Sequence, residues 1–254
     1  MKPQIGLQLS SLTPYLKTEE SISLTLKKVS NMGYRYVQLQ GVPAEIGDRF
    51  LAESLQQNNL SCVATQEDYI FGFGEHYENA IQRAVACGAQ YLAFALIPRE
   101  VNSVSALAEF AHKISHIGEC AGKTGLKFSF HPIGSDYELL DGIPRYERLL
   151  NLLPGLGLTF CISATFSSRV SIEEVFEKFG DRIDIVHFKE YVVLPDGQKQ
   201  LVPLGHGEHD WNHYYELCQK HNVSYIFAEQ EYWQGDAFDA ICTSLQYLRK
   251  LVDE

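Results

Sequence analysis

The sequence predicts an α/β fold, a single (β/α)8 TIM barrel with a parallel eight-stranded core over residues 1–254. Short apolar segments alternate with segments of helical periodicity from one end of the chain to the other. Several of the apolar segments have no polar alternation, as is typical of strands buried on both faces. No GxGxxG or GxxxxGK[ST] motif follows a strand, so the usual dinucleotide-binding and P-loop sheets are not indicated. Eight βα units in 254 residues without a linker favour a closed barrel over an open sheet.

Turn residues bound each of the predicted strands. The strands lie at 5–9, 36–40, 61–65, 91–96, 126–131, 158–162, 183–188 and 225–229. Between them, apolar residues recur at helical spacing, for example from Leu107 to Ala121 and from Phe238 to Val252. Ser171 and Glu174 form a capping-box pattern that predicts a helix start, and Gly33 and Gly88 fall where helices should end.

One long connection, residues 189–209, follows the seventh predicted strand. Its VVLPDGQKQLV portion predicts a β-hairpin that turns at Asp196-Gly197. The connection lies on the side of the barrel where the strands end, and TIM barrels build their functional sites on that side.

Charge and composition exclude several classes of function. The chain has 21 basic and 32 acidic residues, and its formal net charge is −11. Such a surface repels phosphate backbones, so nucleic acid is not an expected partner. No apolar stretch approaches the roughly 18 residues of a membrane helix, and the N-terminal segment is too quickly polar for a secretory signal. The sequence therefore predicts a cytoplasmic protein without a membrane partner.

The six cysteines are scattered and form no CxxC pair. Most lie in apolar surroundings, which predicts reduced thiols that pack as small core residues. Cys161 has the same interpretation open to it, but it ends the sixth predicted strand and is therefore also a candidate site residue.

Polar residues end most of the predicted strands. In a TIM barrel such residues point into one mouth, where carboxylates and imidazoles could together bind a divalent metal. The candidates in chain order are Gln8, Gln38 or Gln40, Gln66, His131 with Asp136 and Glu138, Cys161, His187 with Lys189 and Glu190, and Glu229 with Glu231.

Five segments of the chain together resemble the xylose isomerase-like superfamily of sugar isomerases and epimerases. GYRYVQLQG resembles its G-y-x-x-V-E motif, RIDIVHFKEY its R-I-x-x-x-H-x-K-D, and LGHGEHDW its G-x-G-x-x-D-W. FAEQEYW is similar to a last strand that ends in E-Q-D, and HPIGSDYELLDG to H-N-H-x-x-E-F followed by L-D-G. The five occur in the family's order and cover nearly the whole chain.

The resemblance implies a divalent metal (Mn, Zn, Mg or Co) with one ligand from each of strands five to eight. His187 and Glu229 match the last two ligands, and the strand-five carboxylate falls on Asp136, or on Glu138 if the loop shifts. Cys161 occupies the position of the strand-six aspartate; a thiol cannot replace a carboxylate for Mg²⁺ or Mn²⁺, although a thiolate could bind Zn²⁺.

Three further positions depart from the family pattern. Ile133 replaces the second histidine of H-N-H, Gln38 stands where the family often has glutamate, and Gln66 stands where it often has histidine. These changes, with Cys161, weaken the predicted metal site.

The predicted chemistry is proton transfer next to a carbonyl. Glu229 is the candidate base, with Asp136 or Glu138 across the site, and a metal, or else Lys189 with His187, would stabilise the oxyanion. Lys189 could instead hold a carboxylate or phosphate of the substrate.

Other polar side chains are candidates for holding the substrate. His131, Gln66, Gln38 and Trp233 are the candidate substrate-binding residues. Trp233 could stack on a sugar ring or simply pack between helices, and His131 could be a hydrogen-bonded core histidine.

The resemblance, together with these residues, implies an isomerase or epimerase that acts on a small-molecule carbohydrate or a related derivative. An inositol-catabolism-type dehydratase uses the same barrel and is the first alternative. A barrel that has lost catalysis and only binds a metabolite is the second. A relative of the apurinic endonucleases is disfavoured, since it would need more histidines at strand ends and a basic face. The 189–209 connection could also mediate a homo-oligomer.

Overall fold

The computed structural model describes residues 2–166, 168 and 170–253. Eight parallel strands close into a barrel in which each strand pairs with the strands before and after it in the chain, and the first strand pairs with the last. This confirms the predicted fold class. The strands are β1 Gln4–Gln8, β2 Tyr36–Leu39, β3 Ser61–Asp68, β4 Tyr91–Ala95, β5 Lys127–His131, β6 Gly157–Cys161, β7 Ile183–Phe188 and β8 Tyr225–Ala228.

An outer layer of helices surrounds the barrel. They are α1 Glu19–Met32, α2 Asp48–Gln57, α3 Phe73–Ala86, α4 Val104–Lys123, α5 Arg145–Leu152, α6 Ile172–Phe179, α7 Trp211–Lys220 and α8 Ala237–Asp253. A single helical turn, Ile162–Thr165, lies between β6 and α6. Across the residues that the structure describes, no helix combines the length and the apolar character needed to cross a membrane.

Local signals begin and end these helices as the sequence predicts. Ser171 caps α6 by accepting a hydrogen bond from the backbone N–H of Glu174. Gly33 ends α1 in the left-handed conformation, with φ of 106°, which a residue without Cβ adopts without steric cost.

Two apolar layers hold the barrel together. The larger one fills the space between strands and helices, and the smaller one lies inside the barrel around Tyr91, Ile185 and Phe227. Gly6 in β1 makes room for this interior layer, because a Cβ there would overlap the ring of Phe227. The ring of Phe227 therefore forms the floor beneath the mouth of the barrel.

The predicted hairpin is present after β7. Its strands, Glu190–Val193 and Lys199–Val202, pair antiparallel, and Gly197 in the turn has φ of +84°. Glu190 anchors the base of the hairpin, since its buried carboxylate accepts hydrogen bonds from His209 Nδ1 and Trp211 Nε1. The hairpin thus extends from the mouth but is fixed to the barrel beneath it.

The barrel wall has its fewest paired residues between β5 and β6. Only two residue pairs register there, Ser129 with Gly157 and Phe130 with Leu158, whereas β4 and β5 share five. A cavity of about 740 Å³ opens beside this seam, lined by α4 and by the segment that precedes β6. It lies toward the strand starts, at the opposite end of the barrel from the candidate site.

Candidate active site

Seven of the eight strands place a polar side chain at the top of the barrel interior. Alternate residues of a strand share one face, so each of these side chains lies above an interior-facing residue two positions earlier, as His187 lies above Ile185. The seven are Gln8, Gln38, Gln66, His131, Cys161, His187 and Glu229, and all are at most 6% exposed. The structure thus brings together seven of the fourteen residues that the sequence analysis names as site candidates.

Glu229 lies at the centre of this cluster, one residue beyond β8. Its Oε2 is 3.4 Å from Nδ1 of His187, 3.8 Å from Nζ of Lys189 and 3.9 Å from Sγ of Cys161. Burial alone would raise the pKa of Glu229, but the charges of Lys189 and His187 outweigh burial and hold that pKa well below its usual range. Glu229 is therefore a buried carboxylate that stays ionised at neutral pH.

Lys189 joins Glu229 to a second carboxyl group, because its Nζ also donates a hydrogen bond to Glu231. Burial would lower the pKa of Lys189, but Glu229 and Glu231 together raise it. Burial and the neighbouring charge of Glu229 raise the pKa of Glu231 to about 7, despite the opposing effect of Lys189. Glu231 can therefore gain or lose a proton at neutral pH, while Lys189 stays charged.

Two histidine rings complete the centre of the mouth. The His131 and His187 ring centroids are 4.7 Å apart, and the Nε2 of His187 lies 2.8 Å from Oε1 of Gln38. Burial lowers the pKa of His131 to about 3, which keeps this ring neutral. Among the described residues, neither nitrogen of His131 has a hydrogen-bond partner, so the ring can bind a polar group of a ligand.

The described part of the chain contains no group of three or more His, Cys, Asp and Glu side chains arranged to hold a metal ion. The chemistry of the donors agrees with this. Cys161 places a thiol in the strand-six ligand position, where Mg²⁺ or Mn²⁺ would need a carboxylate, and burial raises the pKa of this thiol to about 11. The ammonium group of Lys189 lies 3.8 Å from the carboxylate of Glu229 and already balances its negative charge. As arranged, these residues do not fit the divalent metal that the resemblance implies, and we derive no step from one.

Asp136 lies outside the cluster in a structural position. Its Oδ1 accepts a hydrogen bond from the backbone N–H of Ile97, and its Oδ2 accepts one from Ile133, each at 3.0 Å. Both oxygens are thus occupied by backbone donors from two loops. These contacts indicate that Asp136 holds the loops after β4 and β5 together, which differs from the acid–base and metal roles predicted for it.

Glu138 and Trp233 also differ from the central residues. Glu138 is exposed and lines a depression beside α5 and α6 with Lys178, so it is not placed across the site from Glu229. Trp233 is half-buried at the rim, and its ring stacks on that of Tyr15 with centroids 6.2 Å apart. This contact favours the packing role for Trp233 over direct stacking on a ligand.

Asp68 was missed by the sequence analysis, and Glu231 was named there only as a neighbour of Glu229 without a role of its own. Asp68 ends β3, two positions after Gln66 and on the same face, and it accepts a hydrogen bond from Nε2 of Gln40. If the third strand had been predicted to continue through Asp68, the alternation of side chains in SCVATQED would have placed Asp68 on the same face as Gln66, in the mouth of the barrel. Glu231 lies two positions beyond Glu229 in a segment without regular structure. In such a segment the direction of a side chain cannot be predicted from sequence periodicity.

Comparison with solved structures shows similarity over almost the whole chain. A sugar phosphate isomerase/epimerase from Parabacteroides distasonis matches with a TM-score of 0.81 and 14% identity, over 98% of this chain and 94% of that one. D-allulose 3-epimerase from Methylomonas sp., solved with D-allulose, matches with a TM-score of 0.79 and 12% identity, over 98% and 97%. The IOLI protein with a bound zinc atom matches with a TM-score of 0.76 and 15% identity, over 98% of both chains.

At these identities the similarity shows a shared fold. No protein of curated function matches the sequence. A family model does, and it spans residues 26–251, most of the barrel and every strand from β2 to β8. The chain therefore belongs to the xylose isomerase-like TIM barrel family.

Proposed function

We propose that this protein is an isomerase or epimerase that moves a proton next to the carbonyl of a sugar or sugar derivative. The observation that carries the proposal is the buried carboxylate of Glu229, held ionised between Lys189 and His187 at the mouth of the barrel. A buried charge is costly unless it is paired. Its position at the catalytic end of this fold favours a chemical role over a purely structural ion pair.

In the proposed reaction, Glu229 removes the proton from the carbon next to the carbonyl. The electron pair of that C–H bond forms a carbon–carbon double bond, and the carbonyl oxygen becomes an oxyanion. Lys189 lies beside Glu229 and supplies the positive charge that stabilises this oxyanion, and His187 lines the same part of the site. Return of the proton from Glu229 to the neighbouring carbon, with transfer of the hydroxyl proton of the intermediate to the first oxygen, gives an isomer. An epimer would require a second acid that protonates the original carbon on its opposite face.

Glu231 supports the second half of this reaction. Its pKa of about 7 allows it to carry a proton at neutral pH, and its hydrogen bond to Lys189 links it to the oxyanion site. It can therefore exchange a proton with an oxygen of the intermediate while Glu229 handles the proton on carbon.

The polar atoms around Glu229 suit a ligand rich in hydroxyl groups. Within the described residues, Oε1 of Gln8 and both ring nitrogens of His131 are buried without a hydrogen-bond partner. A polyol could donate hydrogen bonds to Oε1 of Gln8 and to the unprotonated nitrogen of His131, and could accept one from the N–H of His131, which would satisfy groups that are costly to leave unpaired. This supports a carbohydrate-like substrate, as the sequence predicts.

The test is a panel of ketoses and aldoses assayed with wild-type protein and with Glu229→Gln. We expect Glu229→Gln to lower kcat by roughly 10²–10⁴-fold, the usual contribution of a general base, because the amide cannot accept the proton. Glu67→Gln is the matched control, because Glu67 is a half-buried carboxyl group at the end of β3 that lines a depression beside α2 and α3. It should leave kcat within about twofold.

The same assay, repeated with EDTA and with elemental analysis of the protein, tests the role of a metal. Since Lys189 already balances Glu229, we expect chelation to leave activity in place. A stoichiometric metal whose loss abolishes activity would overturn the metal-free form of the proposal. Binding of a sugar without turnover, equal in wild type and Glu229→Gln, would instead favour a metabolite-binding barrel.

A further inference from the structure

A chain of side-chain amides crosses the mouth of the barrel from Asp68 to His187. Gln40 Nε2 lies 3.3 Å from Oδ1 of Asp68, and Gln66 Nε2 lies 3.1 Å from Oε1 of Gln40. Gln38 Nε2 lies 2.9 Å from Oε1 of Gln66, and His187 Nε2 lies 2.8 Å from Oε1 of Gln38. We name these three glutamines (Gln40, Gln66, Gln38) the amide relay.

The relay has a direction that Asp68 sets. A carboxylate can only accept hydrogen bonds, whereas each amide has one donating and one accepting end. Gln40 must therefore turn its NH₂ to Asp68, which leaves its oxygen facing Gln66. The same constraint passes along the relay, so that Gln38 presents its oxygen to the ring of His187.

A fourth glutamine reinforces this direction. Nε2 of Gln8 donates a hydrogen bond to Oε1 of Gln40 at 2.9 Å, so two amides require the oxygen of Gln40 to be an acceptor. Gln8, Gln38 and Gln66 are each at most 2% exposed. Reversal of one member alone would leave buried donors or acceptors facing one another, which makes the relay act as a unit.

The ring of His187 must then donate from Nε2, because an amide oxygen cannot pair with an unprotonated nitrogen. Its other nitrogen, Nδ1, faces Oε2 of Glu229 at 3.4 Å. We propose that Asp68, acting through the amide relay, is a positioning residue that fixes a proton on Nε2 of His187 and presents Nδ1 to Glu229. The relevance of this positioning to catalysis rests on the proposed function. The orientation of the His187 ring does not depend on that function.

This arrangement determines which nitrogen of His187 faces the catalytic carboxylate. Nδ1 lies 3.4 Å from Oε2 of Glu229, and among the described residues it has no hydrogen-bond partner. It lies beside Lys189 and Glu229, at the place where the oxyanion would form. Asp68 is separated from it by the three glutamines, and it therefore acts on His187 without being in contact with it.

The ring nitrogens of His187 can be observed directly by ¹⁵N–¹H correlation spectroscopy on protein labelled with ¹⁵N-histidine. The His187→Gln variant assigns the signal among the nine histidines. We expect wild-type protein at neutral pH to show a protonated Nε2. An unprotonated Nε2 in wild type would overturn the proposal without any variant, so the test does not depend on a mutant that folds.

Three variants separate the role of Asp68 from general packing. Asp68→Asn can donate as well as accept, so the relay can reverse, and we expect partial loss of the Nε2 proton signal. Asp68→Glu keeps the carboxylate and should retain the signal. Glu67→Gln, at the adjacent position, should leave it unchanged. A signal that is equally intact in Asp68→Asn would show that the relay does not take its direction from Asp68.

Kinetics supply the second readout. We expect Asp68→Asn to lower kcat by about tenfold with KM changed less than twofold, because the residue orients a catalytic group and does not bind the substrate. If no substrate is turned over by wild type, the proposed reaction fails but the spectroscopic result still decides the positioning role. If turnover is observed and the Nε2 signal is absent, the positioning role alone fails.

Discussion

Two buried acidic residues at the mouth of the barrel illustrate how contacts separate chemistry from structure. Glu229 contacts the side chains of Lys189 and His187, whereas both oxygens of Asp136 accept hydrogen bonds from backbone N–H groups. Backbone hydrogen bonds to both oxygens of Asp136 hold its carboxyl group between two loops. Both residues are buried. Their different contacts suit Glu229 to chemistry and Asp136 to a structural role.

This difference gives a prediction for Asp136→Asn. The NH₂ of asparagine would face the backbone N–H of either Ile97 or Ile133, so one buried donor would lose its acceptor. We expect the free energy of unfolding to fall by about 1–3 kcal/mol, measured by urea denaturation. Glu138→Gln is the control for stability, since an exposed substitution should change it by less than about 0.5 kcal/mol. A fully stable Asp136→Asn protein without activity would restore the predicted catalytic role.

At the scale of elements, helix α4 offers two glycines that face different surroundings. Gly122 has no atom within 4 Å of the position its Cβ would take, whereas a Cβ at Gly118 would lie 3.1 Å from Cδ1 of Phe128. Both residues line the cavity beside the β5–β6 seam. The helix is therefore open at one position and closely packed one turn earlier.

We expect Gly122→Ala to stabilise the protein by roughly 0.5–1 kcal/mol, because alanine loses less backbone entropy than glycine on entering a helix. Gly118→Ala should gain less or lose stability, since the ring of Phe128 would have to move. The measurement is the difference in the midpoint of thermal unfolding between the two variants. Equal stabilisation by both substitutions would contradict the packing described at Gly118.

The eight strands could be predicted from the sequence because each is a short apolar run between turns, and burial on both faces leaves that pattern visible. Only the ends were missed, most of all at β3, where three polar residues continue the strand to Asp68. The strand register also determines which residues enter the mouth, so the positions of Gln38, His187 and Glu229 could be predicted. The position of Asp136 could not, because a loop has no periodicity from which the direction of a side chain follows.

At the scale of the whole molecule, several buried titratable groups have displaced pKa values. Burial raises the pKa of Glu67, Asp136 and Glu231 to about 7 in each case. It lowers the pKa of His131 to about 3. The three carboxyl groups hold protons in the folded chain at a pH where they would be ionised in the unfolded chain, and the histidine does the opposite.

The sign of the pH dependence follows from these differences in bound protons. Stability falls with rising pH wherever the folded state binds more protons than the unfolded state. Between about pH 6 and pH 8, each carboxyl group with a raised pKa loses about 1 kcal/mol of its contribution, and the unfolded-state titration of His131 opposes this by a smaller amount. With three carboxyl groups against one histidine, the carboxyl groups prevail.

We therefore expect the free energy of unfolding to be lower at pH 8 than at pH 6 by a few kcal/mol, measured by urea denaturation in buffers of equal ionic strength. Glu67→Gln removes one raised carboxyl group outside the mouth, so it should reduce the difference by about 1 kcal/mol. The expected change is only about 1 kcal/mol because Glu67 is half-buried, so that water and the charge of Arg83 both reduce the rise in its pKa. Glu138→Gln, an exposed substitution, should leave the difference unchanged. A stability that rises from pH 6 to pH 8 would mean that the three carboxyl groups are ionised in the folded chain throughout, as they would be if paired more closely with cations than their contacts indicate.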